Sequence, residues 1–184
     1  RRVLFRSILV PTDFSDHAEY ALKVAAQIAR DNDGEIFIVH MLEFPGQMAD
    51  AVSHGADIPE IMLFMKKAHE KLEELLTRDH LEGIKVTEAV KYERAFEGII
   101  KSSQKHNIDL VVMGSHGASG FQEMFVGSTT EKIVRTSEAP VLIIKHETNN
   151  FKTDRFVFAS DFSEEARKPF EKIVSFAKIF GSHI

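Results

Sequence analysis

Leu110-Val111-Val112-Met113-Gly114-Ser115-His116-Gly117 is followed, after nine residues, by Gly127-Ser128-Thr129-Thr130-Glu131. The apolar run reads as a buried strand, the glycines as a loop, and the second block as the opening of a helix. Glycine is needed where φ is positive or where a ligand must reach the main chain with no Cβ in between, and two such sites joined by a short loop make a cradle of N–H groups. Phosphate suits that cradle. Ser128-Thr129-Thr130-Glu131 has the spacing of a capping box, which sets a helix N-terminus with free N–H groups and partial positive charge directly after Gly127. Taken alone, the same residues also fit ordinary turns and an ordinary N-cap.

Upstream, Ile8-Leu9-Val10 is a continuous apolar run of the kind expected for a strand covered on both faces, and it stops at Pro11-Thr12-Asp13. Ser15 suits the N-cap of a helix whose Ala18, Ala21, Leu22, Ala25 and Ala29 recur at helical spacing. Asp13 therefore lies at the carboxyl edge of the sheet, where open α/β folds take their ligands. It also fits an Asx turn that holds the bend from strand to helix. Ile36-Phe37-Ile38-Val39 forms the second strand, leaving Met41 at its exit, where a soft side chain could pack on a flat ring or simply join the core.

Residues 42–57 read as a long loop beside the pocket. An apolar stripe from Ile58 to Leu76 predicts a helix, and the alternation Lys85-Val86-Thr87-Glu88-Ala89-Val90 an edge strand with one wet face. Phe96, Ile99 and Ile100 mark a further helix, and Val141-Leu142-Ile143-Ile144-Lys145 the fifth strand. Strands alternating with helices throughout predict an open, parallel, five-stranded α/β sheet with helices on both faces and right-handed crossovers.

The pattern Gly-x-x-Gly, nine residues, Gly-Ser resembles the nucleotide-binding signature of the ATP-binding branch of the universal stress protein family. The resemblance runs over residues 7–146 and has three further landmarks: Ile8-Leu9-Val10-Pro11-Thr12-Asp13-Phe14-Ser15, Val39-His40-Met41 and Ala139-Pro140-Val141-Leu142-Ile143-Ile144. It implies a Rossmann-like sheet of strand order 3-2-1-4-5, which sets Asp13 beside the Gly114 loop at the switch point. It also implies ATP as ligand. Pro11, Thr12, Asp13 and Met41 are expected along base and ribose, Met113 and Gly114 under the ribose and α-phosphate, and Gly117, Gly127, Ser128 and Thr129 around the phosphates. A Mg²⁺ held mainly by those phosphates is compatible, since that ion keeps its waters and needs few protein ligands. The family's fifth strand pairs with its symmetry mate, so residues 141–145, an apolar edge with unpaired main-chain groups, imply a homodimer.

Other chemistries find less support. No P-loop lysine and no Gly-x-Gly-x-x-Gly is present, so efficient ATP hydrolysis is not indicated. Ser115-His116 invites a hydrolase reading, but neighbouring residues rarely reach the required geometry, and no nucleophile elbow accompanies them. The nine histidines lack zinc spacing, which argues against a protein metal site. The net charge of −5 and the absence of a basic stripe argue against nucleic acid. No segment holds the roughly 18 apolar residues of a membrane span. The basic opening lacks the apolar core of a secretory signal, and zero cysteines suit a cytoplasmic protein. A cytoplasmic, nucleotide-dependent binding module is thus the leading expectation. A slow Mg²⁺-dependent ATPase or transferase using Asp13, and an interaction protein with an empty pocket or with cyclic AMP, stay open.

With 184 residues the chain holds one such domain, residues 1–146, with material left over. Asp13, Phe14, Ser15, Ala18, Ala29 and Ile36 recur as Asp161, Phe162, Ser163, Ala166, Ala177 and Ile184, at a constant offset of 148. After a polar linker over residues 147–154, residues 155–184 read as the incomplete start of a second repeat. There, residues 156–160 are expected as a strand, Ser163 as a helix cap and Pro169 as a kink. One strand and one helix cannot bury their phenylalanines alone, so this tail is expected to dock on something else.

Overall fold

A computed structural model describes residues 5–44, 59–117 and 127–184, except for the side chains of Glu60 and Ile179. The long loop expected beside the pocket falls almost wholly outside them. The described strands are β1 (Ser7–Thr12), β2 (Glu35–Leu42), β3 (Lys85–Tyr92), β4 (Leu110–Gly114) and β5 (Val141–Ile144). They pair in parallel in the order β3-β2-β1-β4-β5, as the sequence leads one to expect. The helices are α1 (Asp16–Asn32), α2 (Pro59–Leu76), α3 (Ala95–Lys105), α4 (Ser128–Thr136) and α5 (Arg167–Phe180).

Because strand side chains alternate between faces, the apolar run of β1 feeds two cores. Ile8 and Val10 pack with Ala21, Leu22, Ala25 and Ile28 of α1 and Leu72 and Leu75 of α2. Leu9 packs on the opposite face with Ile99 of α3 and Ile133 of α4. β1 is thus buried on both sides, and it is the strand on which the connection order reverses. Its ladder with β2 runs the full strand, from Ser7↔Glu35 to Thr12↔His40. With β4 it has only Ile8↔Leu110 and Leu9↔Val111 in register.

Ser15 caps α1 as expected, its hydroxyl accepting from Ala18 N–H at 3.3 Å. At α4 the expected capping box does not form. The helix starts at Ser128 with Gly127 as N-cap and no side-chain cap bond, while Glu131 turns away to Arg135 at 3.0 Å. The spacing is right, but Ser128 lies inside the first turn, where its hydroxyl cannot serve as the cap.

The tail docks on the first unit at the amino edge of the sheet. The Phe176 ring lies 5.2 Å from that of Phe5, just ahead of β1, and Gln27 exchanges two 2.8 Å hydrogen bonds with the Phe151 main chain. Two expectations fail here. Residues 156–160 run extended without a ladder, apart from one bridge from Arg155 to His183, because no strand lies beside them. Pro169 does not kink α5: a 3₁₀ turn over Glu164–Ala166 precedes the helix, so Pro169 falls in the first turn of α5, where an N–H has no helical partner to lose.

The tail nevertheless repeats the geometry of the first unit at the same offset. Phe14 and Phe162 both have positive φ, 64° and 58°. Ser15 N–H reaches Asp13 Oδ1, and Ser163 N–H reaches Asp161 Oδ1, both at 3.0 Å. The αL caps at Asp33 and Gly181 correspond, as do Gly34 N–H to Ala29 O and Ser182 N–H to Ala177 O, each 2.8 Å. The Arg155–His183 bridge repeats the Ser7–Glu35 register.

Since the tail sits at the edge remote from the β1 and β4 exits, ending the chain after Glu147 is expected to leave ligand affinity at those exits within about two-fold, a change of about 0.4 kcal/mol. Loss of the Phe176 ring uncovers Phe5, which should lower solubility or drive association. Titration calorimetry and sedimentation of the shortened chain check the two halves of this expectation.

Candidate functional site

At the carboxyl edge, the main chain carries the geometry. β1 ends at Pro11, half-buried, and Thr12, buried, whose hydroxyl accepts from Phe14 N–H at 3.0 Å. Asp13 is exposed and bent by its own Asx turn. Its Oδ1 accepts from Ser15 N–H at 3.0 Å and from Ser15 Oγ at 2.5 Å. The local turn thus engages Oδ1 and fixes the carboxylate at the exit of β1.

β4 comes in beside it. Met113 is buried in the second core, and Gly114 ends the strand so close to α1 that a Cβ there would lie 2.8 Å from His17 C and O. Ser115 N–H continues to Ile144 O at 3.0 Å. Gly117 then reaches Asp13: a Cβ on Gly117 would stand 2.5 Å from Asp13 Oδ2. The carboxylate of the first strand's exit and the glycine loop of the fourth are thus in direct apposition. Residues 118–126, which join the two glycine blocks, lie outside the described residues.

Beyond them, Gly127 N–H donates to Ser115 O at 2.8 Å, and Thr130 Oγ1 donates to Gly114 O at 3.3 Å. These two bonds seat the N-terminus of α4 on the loop. Ser128 is exposed and Thr129 half-buried at this end, and among the described residues no side chain caps the helix. Its first N–H groups and the positive end of its dipole face the glycine loop, where an acceptor is favoured.

Met41 is brought to the same edge only through its backbone. Its side chain lies on α3, where a Cβ on Gly98 would meet Met41 Sδ at 2.5 Å, and so it is half-buried against the second core. What the sequence reading missed is an aromatic cluster. His40 Nδ1 bonds with Thr12 O at 2.8 Å, the Phe14 ring stacks 4.5 Å from His40, and Lys71 Nζ lies 5.1 Å over Phe14. A bulky residue at positive φ is uncommon; here it throws the Phe14 ring onto β2. Only the repetition of the Asp-Phe-Ser triplet marked that residue in the sequence.

The Ser115-His116 pair needs a correction. Neighbours in sequence do meet, with Ser115 Oγ 2.9 Å from His116 Nδ1. Yet Ser115 is 1% exposed, out of reach of a substrate, and among the described residues His116 Nε2 has no hydrogen-bond partner to orient the ring. Among the described residues, no group of three or more His, Asp or Glu is placed to hold a metal ion, and no helix is long and apolar enough to cross a membrane.

Comparison with known proteins gives a consistent picture. The profile of the Universal stress protein family matches residues 4–145. Universal stress protein MJ0577 of Methanocaldococcus jannaschii is 28% identical over 160 residues, covering 80% of this chain and 99% of its own, and its structure superposes with a TM-score of 0.66. Universal stress protein YxiE of Bacillus subtilis is 26% identical over 157 residues, 77% of this chain and 100% of its own. The universal stress protein of Archaeoglobus fulgidus in complex with dAMP shares the fold, with a TM-score of 0.55 at 21% identity over 76% of this chain and 98% of its own.

Proposed function

The chain belongs to the universal stress protein family, and from that premise we propose that it is a cytoplasmic stress-response protein that binds ATP between the exits of β1, β2 and β4 as a nucleotide-dependent binding module. The observation that carries the reading is the apposition of Gly117 to the Asp13 carboxylate, 2.5 Å from a would-be Cβ. Only a residue without a side chain lets the main chain come this close, and a bare main chain is what a phosphate or ribose hydroxyl needs to approach. The N-terminus of α4 behind Gly127 adds N–H donors and partial positive charge for phosphate. In this reading Pro11, Thr12, Asp13 and the Met41 main chain line base and ribose. Met113 and Gly114 form the floor, and Gly117, Gly127, Ser128 and Thr129 hold the phosphates, with Mg²⁺ carried on the nucleotide.

The experiment is mass spectrometry of small molecules released from the purified, denatured protein, followed by calorimetric titration with ATP, dATP and cyclic AMP. Retained ATP and tightest binding of ATP support the reading. An empty pocket with no titration, or cyclic AMP binding more tightly than ATP, removes it.

We also propose a two-fold dimer through β5. Val141, Leu142 and Ile143 are half-buried on the last strand of the sheet, whose outer main-chain groups have no strand beside them among the described residues. Ile143→Lys puts a charge on that edge. It is expected to convert dimer to monomer in analytical ultracentrifugation with ATP affinity kept, and a monomeric parent protein would refute the dimer.

A further inference from the structure

We propose that Gly98 is a positioning residue that sets the size of base the site accepts: by taking the Met41 thioether into α3, it leaves the exit of β2 wide enough for a purine. The inference rests on the reading of that exit as the base side of a nucleotide site.

A glycine inside a helix weakens it relative to alanine, so its presence there calls for a reason. Gly98 is buried in α3 and its φ is not positive, so no turn demands it. What demands it is room. A Cβ on Gly98 would stand 2.5 Å from Met41 Sδ and 2.7 Å from Met41 Cε, far closer than non-bonded atoms pack. The slot lies at the carboxyl edge of the sheet. Gly98 is in the first turn of α3, and Glu43, just past the end of β2, holds that helix start with a carboxylate that accepts from Ala95 N–H.

Packing fixes the direction in which the thioether would be displaced. On the same face of β2, Val39 is buried two residues further in, and Ile99 and Met113 are buried in the same cluster. A filled interior does not take in a displaced side chain. With the slot closed, the thioether goes outward over the exit of β2. The unbranched methionine chain makes that swing easy, so the protein stays folded while the exit narrows. The second ring of a purine reaches beyond the edge of a pyrimidine, so the larger base loses its place first.

Calorimetric titration of ATP and UTP reads the base directly, since the two share ribose and triphosphate. Gly98→Ala is expected to lower ATP affinity at least about 10-fold and UTP affinity less than about three-fold. Adding Met41→Ala removes the displaced side chain and should restore ATP affinity to within about three-fold of the parent protein. Equal losses for the two nucleotides, no loss for either, or a double variant that stays weak would each overturn the proposal. Cross-relaxation of the Met41 methyl group in the parent protein is a test that needs no variant. Contact with the Gly98 α-protons and none with the adenine protons of bound ATP is expected, and a methyl group lying against adenine overturns the proposal. UTP bound by the parent protein as tightly as ATP also overturns it and leaves nucleotide binding standing, whereas a parent protein that binds neither removes the reading of the site and this inference together.

Discussion

Gly117→Val is expected to abolish ATP binding, lowering affinity at least 100-fold, about 2.7 kcal/mol, while the protein stays folded. The two outcomes separate because of what the new side chain meets. Its first carbon would stand 2.5 Å from Asp13 Oδ2, the far end of an exposed side chain that can rotate away from its Ser15 bonds. Yielding is cheap for the fold, about 0.5–1 kcal/mol. For the ligand it is not: the valine occupies the main-chain approach and displaces the carboxylate in the same stroke. Calorimetric titration alongside thermal unfolding reads both. Binding kept within five-fold would remove Gly117 and Asp13 from the site. Gly127→Val provides a second probe, since a Cβ there meets Ser115 O at an ordinary 3.4 Å.

Gly114→Ala should do the reverse, damaging the fold before the site. The added carbon would lie 2.8 Å from His17 C and O, and these are main-chain atoms of the first turn of α1. A helix that also packs Ala21, Leu22 and Ala25 into the core cannot move by several tenths of an ångström at one end without disturbing the rest. Overpacking of this kind costs about 1–3 kcal/mol. At about 2–4 °C per kcal/mol for a chain of this size, the melting temperature should fall by roughly 2–12 °C. Calorimetry of the unfolding transition decides it, and an unchanged melting temperature would mean that α1 is less firmly seated than its alanine face suggests.

Much of this architecture was legible in the residues because it rests on periodicity. The apolar run of β1, the alternation of β3 and the alanine stripe of α1 are backbone-scale signals, and the structure places all three where they point. The glycines of the loop were legible for a related reason: a missing Cβ is itself a statement about close approach, and both Gly114 and Gly117 have something within 2.8 Å of where a Cβ would be. The expectations that fail concern where elements begin and what lies beside them. Met41 ends β2 as its place in the pattern implies, and the sequence leaves open whether it meets a ring or the core; in the structure its thioether lies against Gly98 of α3. Ser128 had the right spacing for a cap, yet the tie from Gly127 N–H to Ser115 O starts the helix one residue too early for it. His40 and Phe14 could not be paired from sequence, since their contact depends on the Thr12↔His40 register and on a φ of 64° at a phenylalanine. In the tail, the local pattern of a strand was present and its neighbours were not. A period-based reading has no way to register that lack.

The short ladder between β1 and β4 has a mechanical meaning. Two register pairs, Ile8↔Leu110 and Leu9↔Val111, join the strands that come before the order reversal to those that come after it. The sheet is therefore two plates, β3-β2-β1 and β4-β5, riveted near one end and spanned by α1. A ligand seated between Asp13 and Gly117 would bolt the plates at their other end, far from the rivets, where leverage against opening is greatest. Such a bolt stabilises by mass action, about 2.7 kcal/mol at a ligand concentration 100 times its dissociation constant. The gain should be concentrated in slower amide exchange at Thr12, Asp13 and Ser115, with little change along the β2–β3 seam, which is already fastened over its whole length from Glu35↔Lys85 to Leu42↔Tyr92.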